Sequence, residues 1–203
     1  MAGSLDGPVS RHLNRRLSVP LARALARTPV TPNQVSVLAL LMAFGALALL
    51  AAGRNIEAGV LIQASSIVDG ADGDLARAKA MATRFGGILD SVLDRYADAA
   101  VAGGLAWYAI EYEDWPQPLL VGLAAAIGFL MVSYSRARLE REGGREAASA
   151  LLGFASRDVR LLALAVGAVL GQAYWALAVV GAFSYVTVAW RLYAFRGRTL
   201  PRQ

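Results

Sequence analysis

Long apolar runs, broken by short polar interruptions, dominate the chain. Residues 35–52, "VSVLALLMAFGALALLAA", carry no charge at all. As a helix rising about 1.5 Å per residue they reach roughly 27 Å, enough for a thin bilayer crossing. Further apolar stretches follow at 57–79, 86–110, 116–137, 158–171 and 173–194. Only Gly171 and Gln172 separate the last two. A tight turn there gives six spans, and one long tilted helix gives five. Ahead of them, residues 8–27 place Leu13, Leu17, Leu21 and Leu25 four apart, with arginines around the rest of the turn. That pattern predicts an amphipathic helix lying in the membrane interface and bent at Pro20. "TPVTPNQ" ends it, and Thr31 or Asn33 is placed to cap the next helix.

Charge placement decides between five and six spans. With the N-terminus inside, one face receives Arg11, Arg15, Arg16, Arg23 and Arg27, then Arg77, Lys79 and Arg84. It also receives Arg136, Arg138, Arg141, Arg145, Arg157 and Arg160. The other face holds Arg54 and the acidic "EYEDW" around Glu111, Glu113 and Asp114. Six spans return Arg196, Arg198 and Arg202 to the basic face, as the positive-inside rule requires, and five strand them outside. The expected architecture is an all-α integral membrane protein with six transmembrane helices and an N-terminal interfacial helix. The divisions are an interfacial segment at 1–34, a catalytic bundle at 35–195 and a tail at 196–203. Both termini and the charged end face the cytosol of a multi-pass inner-membrane protein.

Composition narrows the chemistry. Of 203 residues, 57% are hydrophobic, so a soluble core is the wrong class. The absence of cysteine excludes disulfides, thiolate metal sites and cysteine nucleophiles. The single histidine, His12, lies in a basic segment and reads as a surface residue rather than a catalytic one. The net charge of +5 reports orientation and contact with anionic headgroups, and no aromatic–basic pattern for nucleic acid accompanies it. The first 30 residues hold no short apolar core followed by a small-residue cleavage site, so no removable signal peptide is expected. Gly167 and Gly171 form a small-xxx-small step, which serves close helix packing or a homodimer face.

One polar stretch does not fit a plain bundle. "DGADGDLARAKAMATRFGGILDSVLD", Asp69 to Asp94, sits between two oily segments. On a helix, Asp69, Asp72, Gly73, Ala76 and Arg77 share one stripe; Gly86, Asp90 and Asp94 share another, and Asp98 extends it by a turn. The short link "KAMATR" makes these helices antiparallel and facing, so four carboxylates converge. Each ionised aspartate at mid-membrane costs about 2.5–3.5 kcal/mol, so four cost roughly 10–14 kcal/mol and need a purpose. Two divalent cations would neutralise them. Hard oxygen donors without His or Cys point to Mg²⁺, with Mn²⁺ or Ca²⁺ as substitutes. The alternative, solvated surface carboxylates paired with Arg77, Lys79 and Arg84, leaves the glycines and the helical spacing unexplained.

The pattern Asp-x2-Asp-Gly-x2-Ala-Arg-x8-Gly-x3-Asp-x3-Asp resembles the signature of the CDP-alcohol phosphotransferases. It is matched without a gap at Asp69, Asp72, Gly73, Ala76, Arg77, Gly86, Asp90 and Asp94. The resemblance implies transfer of a substituted phosphate from a CDP-alcohol to an acceptor hydroxyl, with release of CMP. By carry-over, Asp69, Asp72 and Asp90 are metal ligands, and Asp94 is the general base that also reaches the metal. The nucleotide side comprises Asp69, Gly73, Ala76, Arg77 and Gly86, the small residues admitting the nucleotide and Arg77 contacting phosphate. Asp74 falls off the stripe and reads as a surface residue, and Asp98 as a partner of Arg95.

"SYSRAR" and "SRDVR" bring Arg136, Arg157 and Arg160 to the same end, where guanidinium forks suit an acceptor's phosphate; Arg138 serves topology only. "SLDGPVSRHLNRRLS", "QASSIVDGADGDLAR" and "LDSVLDRYADA" are similar to the di-myo-inositol phosphate phosphate synthase subgroup. That likeness implies CDP-inositol as donor and inositol 1-phosphate as acceptor. The nucleotidyltransferase domain often found in that subgroup has no counterpart in these residues, which leaves the donor's source open. Two alternatives stand beside this reading. One is a phospholipid synthase using CDP-diacylglycerol with inositol phosphate or another polar alcohol. The other, of a different class, is a magnesium channel or transporter, which predicts acids spread along a pore.

Overall fold

The computed structural model describes residues 14–142 and 156–199. His12, Leu13, Arg145 and residues 200–203 of the expected C-terminal tail therefore lie outside the described residues. The described chain is entirely helical: α1 (Arg15–Leu25), α2 (Pro32–Ala51), α3 (Asn55–Ala78), α4 (Arg84–Tyr112), α5 (Pro118–Arg141), α6 (Arg157–Val169) and α7 (Ala173–Thr199). Three stretches are long and apolar enough to cross a membrane: Pro32–Ala51, Pro118–Arg141 and Ala173–Arg196. α6, with 13 residues, is only about 20 Å long.

The boundaries have local causes. Thr31 caps α2 in a reciprocal capping box with Gln34, and Pro32 occupies the first turn, where its missing N–H costs nothing. Asn33 is thereby left inside the first turn, free for another role. α3 stops where Ala80 turns left-handed at φ +53°, and Met81 N–H returns to the Ala76 carbonyl. Thr83 caps α4 by accepting from Gly86 N–H at 3.0 Å. Gly171, at φ +63°, breaks the apolar stretch between α6 and α7, so two helices form where one long helix was the competing reading. Glu113, from the acidic turn after α4, then accepts from Ala173 N–H at 2.5 Å and Tyr174 N–H at 3.0 Å, capping α7 from a distant segment. Trp115, Tyr174 and Trp175 cluster at this same end, with centroids 5.2–5.8 Å apart.

Close packing rests on small residues. A Cβ added at Gly122 of α5 would lie 2.4 Å from Ala106 Cβ of α4, and one at Gly59 of α3 would lie 2.6 Å from the Ala165 carbonyl of α6. Gly167 is used up in the same way, against Ala176 of α7, so the expected small-xxx-small step is an intramolecular contact and a turn, not a free face. α2 packs extensively on both α3 and α4, α5 on α7, and α6 on α3. α3 and α4 make few close backbone contacts with each other, and the facing that their short link predicts is made through side chains at the acidic end. α2 packs on both, and the wedge between their polar ends is the space the site occupies. Away from that wedge, Leu50, Ile62, Val101, Leu105, Leu164 and Leu177 are fully buried and seal the bundle.

α1 lies along α3 in the same direction. Asn14 Nδ2 donates to Ser66 Oγ at 3.1 Å and Gln63 Nε2 to Asn14 Oδ1 at 2.9 Å, Ser18 sits over Gly70, and Lys79 Nζ donates to the Thr28 and Val30 carbonyls. The stripe that meets the protein is thus Asn14, Ser18 and Ala22, all buried, whereas Leu17 of the leucine stripe is exposed. The helix continues through Pro20.

Candidate active site

Because α3 and α4 are joined by a short turn, their residues meet in antiparallel register, with Asp72 near Asp90 and Asp69 a turn deeper. Asp69, Asp72 and Asp90 each offer a carboxylate oxygen within 4.8 Å of the others, a spacing one hard cation can span. Ser36 of α2, whose Oγ is within reach of its own helix carbonyl at Pro32, donates to Asp72 Oδ2 and fixes that carboxylate from behind. α2 therefore carries more than packing into the site.

Asp94 stands apart from this trio. Its Oδ2 pairs with Arg95 at 3.1 Å, and its Oδ1 lies 2.8 Å from Arg157 Nη1, off hydrogen-bond alignment, so that buried oxygen accepts no hydrogen bond. The same Nη1 donates to Asp69 Oδ2 at 2.6 Å. Three carboxylates converge and the fourth is joined to them through a guanidinium, a refinement of the expected cluster of four. Asp98, buried beneath, accepts from Arg157 Nε at 3.0 Å and Arg160 Nη2 at 3.1 Å, with Arg95 Nε 4.0 Å away. The expected Asp98–Arg95 pair is the weakest of its three. Arg160 also donates to the Phe129 carbonyl at 3.4 Å and lies over that ring. Asp74 points away and pairs with the largely exposed Arg77 at 2.5 Å.

Two cavities flank the carboxylates. The smaller, about 190 Å³, is lined by Asp72, Gly73, Ala76, Arg77, Gly86 and Asp90, and on the α2 side by Pro32, Asn33 and Ser36. A Cβ at Gly86 would lie 3.1 Å from Thr83 Oγ1 and 3.3 Å from Asn33 Oδ1, a tight fit that glycine relieves. The larger cavity, about 460 Å³, is lined by Asp90, Asp94, Arg95, Arg136, Arg157, Arg160 and Arg191. Asp90 borders both. Most signature residues thus line the smaller chamber, Arg95, Arg136, Arg157, Arg160 and Arg191 line the larger with Asp94, and Asp90 stands between.

Sequence reasoning missed three contributors. Arg191 is buried in α7, donates to the Val132 carbonyl at 2.7 Å and Ser135 Oγ at 3.2 Å, and keeps an Nε that makes no hydrogen bond. An arginine in the middle of an apolar stretch was the available signal. Ser36 and Asn33 had none beyond their place at a helix start. The arginines expected at the acceptor side, Arg136, Arg157 and Arg160, all line the large cavity, Arg136 while pairing with Glu140 at 2.9 Å; Arg138, expected to serve topology only, turns outward to Glu142. Lys79 and Arg84 make no ion pair with the aspartates; Lys79 is spent on the α1–α2 link.

The family model for CDP-alcohol phosphatidyltransferases matches residues 29–193. The chain belongs to this family. A "Bifunctional IPC transferase and DIPP synthase" of Rubrobacter xylanophilus is 44% identical over 98% of the chain, and its namesake from Thermococcus kodakarensis is 42% identical over 71%. The chain spans only 45% and 32% of those two proteins' lengths. A "Phosphatidylinositol phosphate synthase" of Mycobacteroides abscessus is 34% identical, covering 95% of this chain and 89% of that one. Among solved structures, the phosphatidylinositol phosphate synthase of Mycobacterium tuberculosis with CDP-DAG bound superposes with a TM-score of 0.72 at 29% identity, covering 88% of this chain and 92% of that one. The same enzyme in complex with manganese and citrate gives a TM-score of 0.73 at 28% identity, covering 87% of each chain. That relative is in complex with manganese, and in this chain Asp69, Asp72 and Asp90 stand close enough together to hold a metal ion.

Proposed function

We propose that this chain is a Mg²⁺-dependent membrane transferase that moves the substituted phosphate of a CDP-alcohol onto an acceptor hydroxyl and releases CMP. The single observation that supports it most is Asp90 bordering both cavities, one shaped by the signature and one by arginines. The donor's nucleotide lies in the first, against Gly73, Ala76 and Gly86, whose lack of bulk lets it approach α3 and α4. The acceptor lies in the second, its phosphate held by Arg136, Arg157 and Arg191, with Arg160 fixing the wall. Asp69, Asp72, Asp90 and Asp94 would hold the cations, Ser36 orienting Asp72. Bound there, Mg²⁺ supplies charge stabilisation to the diphosphate and the leaving phosphate oxygen. Asp94 Oδ1 takes the acceptor's proton as the new oxygen–phosphorus bond forms and the bond to CMP breaks.

Formal charge supports two ions. Asp69, Asp72, Asp90, Asp94 and Asp98 face Arg95, Arg157 and Arg160, leaving two negative charges unbalanced. Two dications together with the two charges of a CDP-alcohol diphosphate contribute a balancing plus two.

For substrates, the reading favours CDP-inositol and inositol 1-phosphate giving di-myo-inositol phosphate phosphate, because the 44% identical relative carries a DIPP synthase name. A second reading, CDP-diacylglycerol with inositol phosphate, draws on the Mycobacterium relatives matched over nearly their whole length. A cation pore is disfavoured: after Asp98, α4 carries no acid until Glu111, and the intervening Val101, Leu105 and Ala109 are buried. The positive-inside pattern, the apolar stretches of α2, α5 and α7 and the exposed Leu17 of α1 fit an inner-membrane enzyme with a cytosolic site. α6, too short to span alone, leaves its arginines inside the polar wedge.

The test crosses CDP-inositol and CDP-diacylglycerol with inositol 1-phosphate, glycerol phosphate and serine, reading CMP. Release that requires both Mg²⁺ and an acceptor, and is lost in Asp94→Asn, is expected. Full turnover by Asp94→Asn would remove Asp94 from its role, and Mg²⁺ flux into liposomes with no CMP would favour the pore.

A further inference from the structure

Arg157 belongs to both halves of the site at once. Its Nη1 is 2.6 Å from Asp69 and 2.8 Å from Asp94, carboxylates assigned above to the cations, while its Nε is 3.0 Å from Asp98, which no other role claims. The side chain also lines the cavity assigned to the acceptor, beside Arg136 and Arg191. A guanidinium and a dication compete for the same carboxylates, by charge and by lone pair alike. The competition is local to one end of the guanidinium, because Asp98 holds the other.

We propose that Arg157 couples cation binding to acceptor binding. Its Nη1 edge passes from Asp69 and Asp94 to the acceptor's phosphate when cations take those carboxylates, with Asp98 as the positioning residue that retains Nε. The proposal rests on the acceptor cavity described under the proposed function. Three features set it up. Arg157 enters from α6, which makes its closest contacts with α3, so its ties to α4 run through side chains that can exchange partners. Asp98 is buried and already carries Arg160, so it stays in place while Arg157 changes partner. The 460 Å³ cavity gives the released edge somewhere to go. Coupling of this kind is reciprocal: whatever factor the cation adds to acceptor affinity, the acceptor adds to cation affinity.

The test measures inositol 1-phosphate binding to the purified chain in detergent by calorimetry, once with saturating Mn²⁺ and once with chelator. Mn²⁺ binding, followed by electron paramagnetic resonance with and without inositol 1-phosphate, gives the reciprocal ratio. In the native chain both ratios should be about tenfold. Arg136→Gln removes a cavity cation that touches none of the aspartates, so it should weaken inositol 1-phosphate in both conditions and leave the ratio intact. Arg157→Gln should bring the ratio to about one; where that variant fails to fold, Arg157→Lys, which keeps the charge but loses the fork, should lower it in the same direction. A native ratio near one, or a ratio that survives both Arg157 substitutions, overturns the coupling. No binding of inositol 1-phosphate under either condition removes the acceptor cavity and the coupling with it. Intact coupling without CMP release from any CDP-alcohol sustains the coupling and removes the transferase reading instead.

Discussion

Asp98→Asn is the substitution for which the structure gives the clearest magnitude. Asp98 accepts from Arg157 at 3.0 Å and from Arg160 at 3.1 Å, and both Asp98 and Arg160 are about 5% exposed. Asparagine keeps the shape and one acceptor oxygen, but turns an amide NH₂ towards the other guanidinium. One charge-assisted hydrogen bond, worth about 1.5–3 kcal/mol, is lost. Arg160 is in addition left as a buried cation without its counter-charge, and breaking such a pair costs about 3–5 kcal/mol in all. At ~2–4 °C per kcal/mol for a chain of this size, the thermal midpoint should fall by about 10 °C. Intrinsic fluorescence of the four tryptophans in detergent would follow it. Asp74→Asn is the control, since its partner Arg77 is 64% exposed and such a pair contributes less than about 1 kcal/mol. Midpoints for the two variants within ~2 °C of each other would refute the claim that the buried carboxylate ties α4 to α6.

Two further substitutions probe single contacts. Ser36→Ala removes the hydroxyl that orients Asp72 and should weaken Mn²⁺ binding about 10–100-fold while moving the thermal midpoint little; unchanged Mn²⁺ affinity by paramagnetic titration would rule out that role. Glu113→Ala removes the distant cap of α7 and should cost about 1–2 kcal/mol, read as faster hydrogen exchange at Ala173 and Tyr174, and unaltered exchange at those two amides would show the cap to be dispensable.

The helices and the carboxylates were legible along the chain because both obey local rules. Apolar run length, Pro32, the Thr31–Gln34 pair and Gly171 fix where helices begin and end, within a few residues of the expected limits. The spacing of Asp69, Asp72, Asp90 and Asp94 reports a shared face through helical geometry alone. What lay beyond reading is set by which helix stands behind which. A short link between α3 and α4 implies adjacency, yet α2 packs on both, and small residues such as Gly104, whose added Cβ would lie 2.9 Å from Leu47 Cα, let it come that close. A Cβ added at Gly45 of α2 would likewise lie 3.2 Å from the Leu61 side chain of α3.

That insertion changes the chemistry of the site. Had α3 and α4 closed on each other, the aspartates would have faced a helix interface with room for ions alone. With α2 packed on both helices, they border two chambers, and Ser36 reaches Asp72 from a helix that carries no charge between Pro32 and Ala51. The same opening admits α6, whose arginines were expected from sequence to hold an acceptor's phosphate. They end instead on Asp69, Asp94 and Asp98, because buried carboxylates bind the nearest guanidinium more strongly than headgroups or water do. Two acidic helices, backed by an uncharged third and met by basic residues from a fourth, therefore give a bundle this apolar two polar cavities that share Asp90.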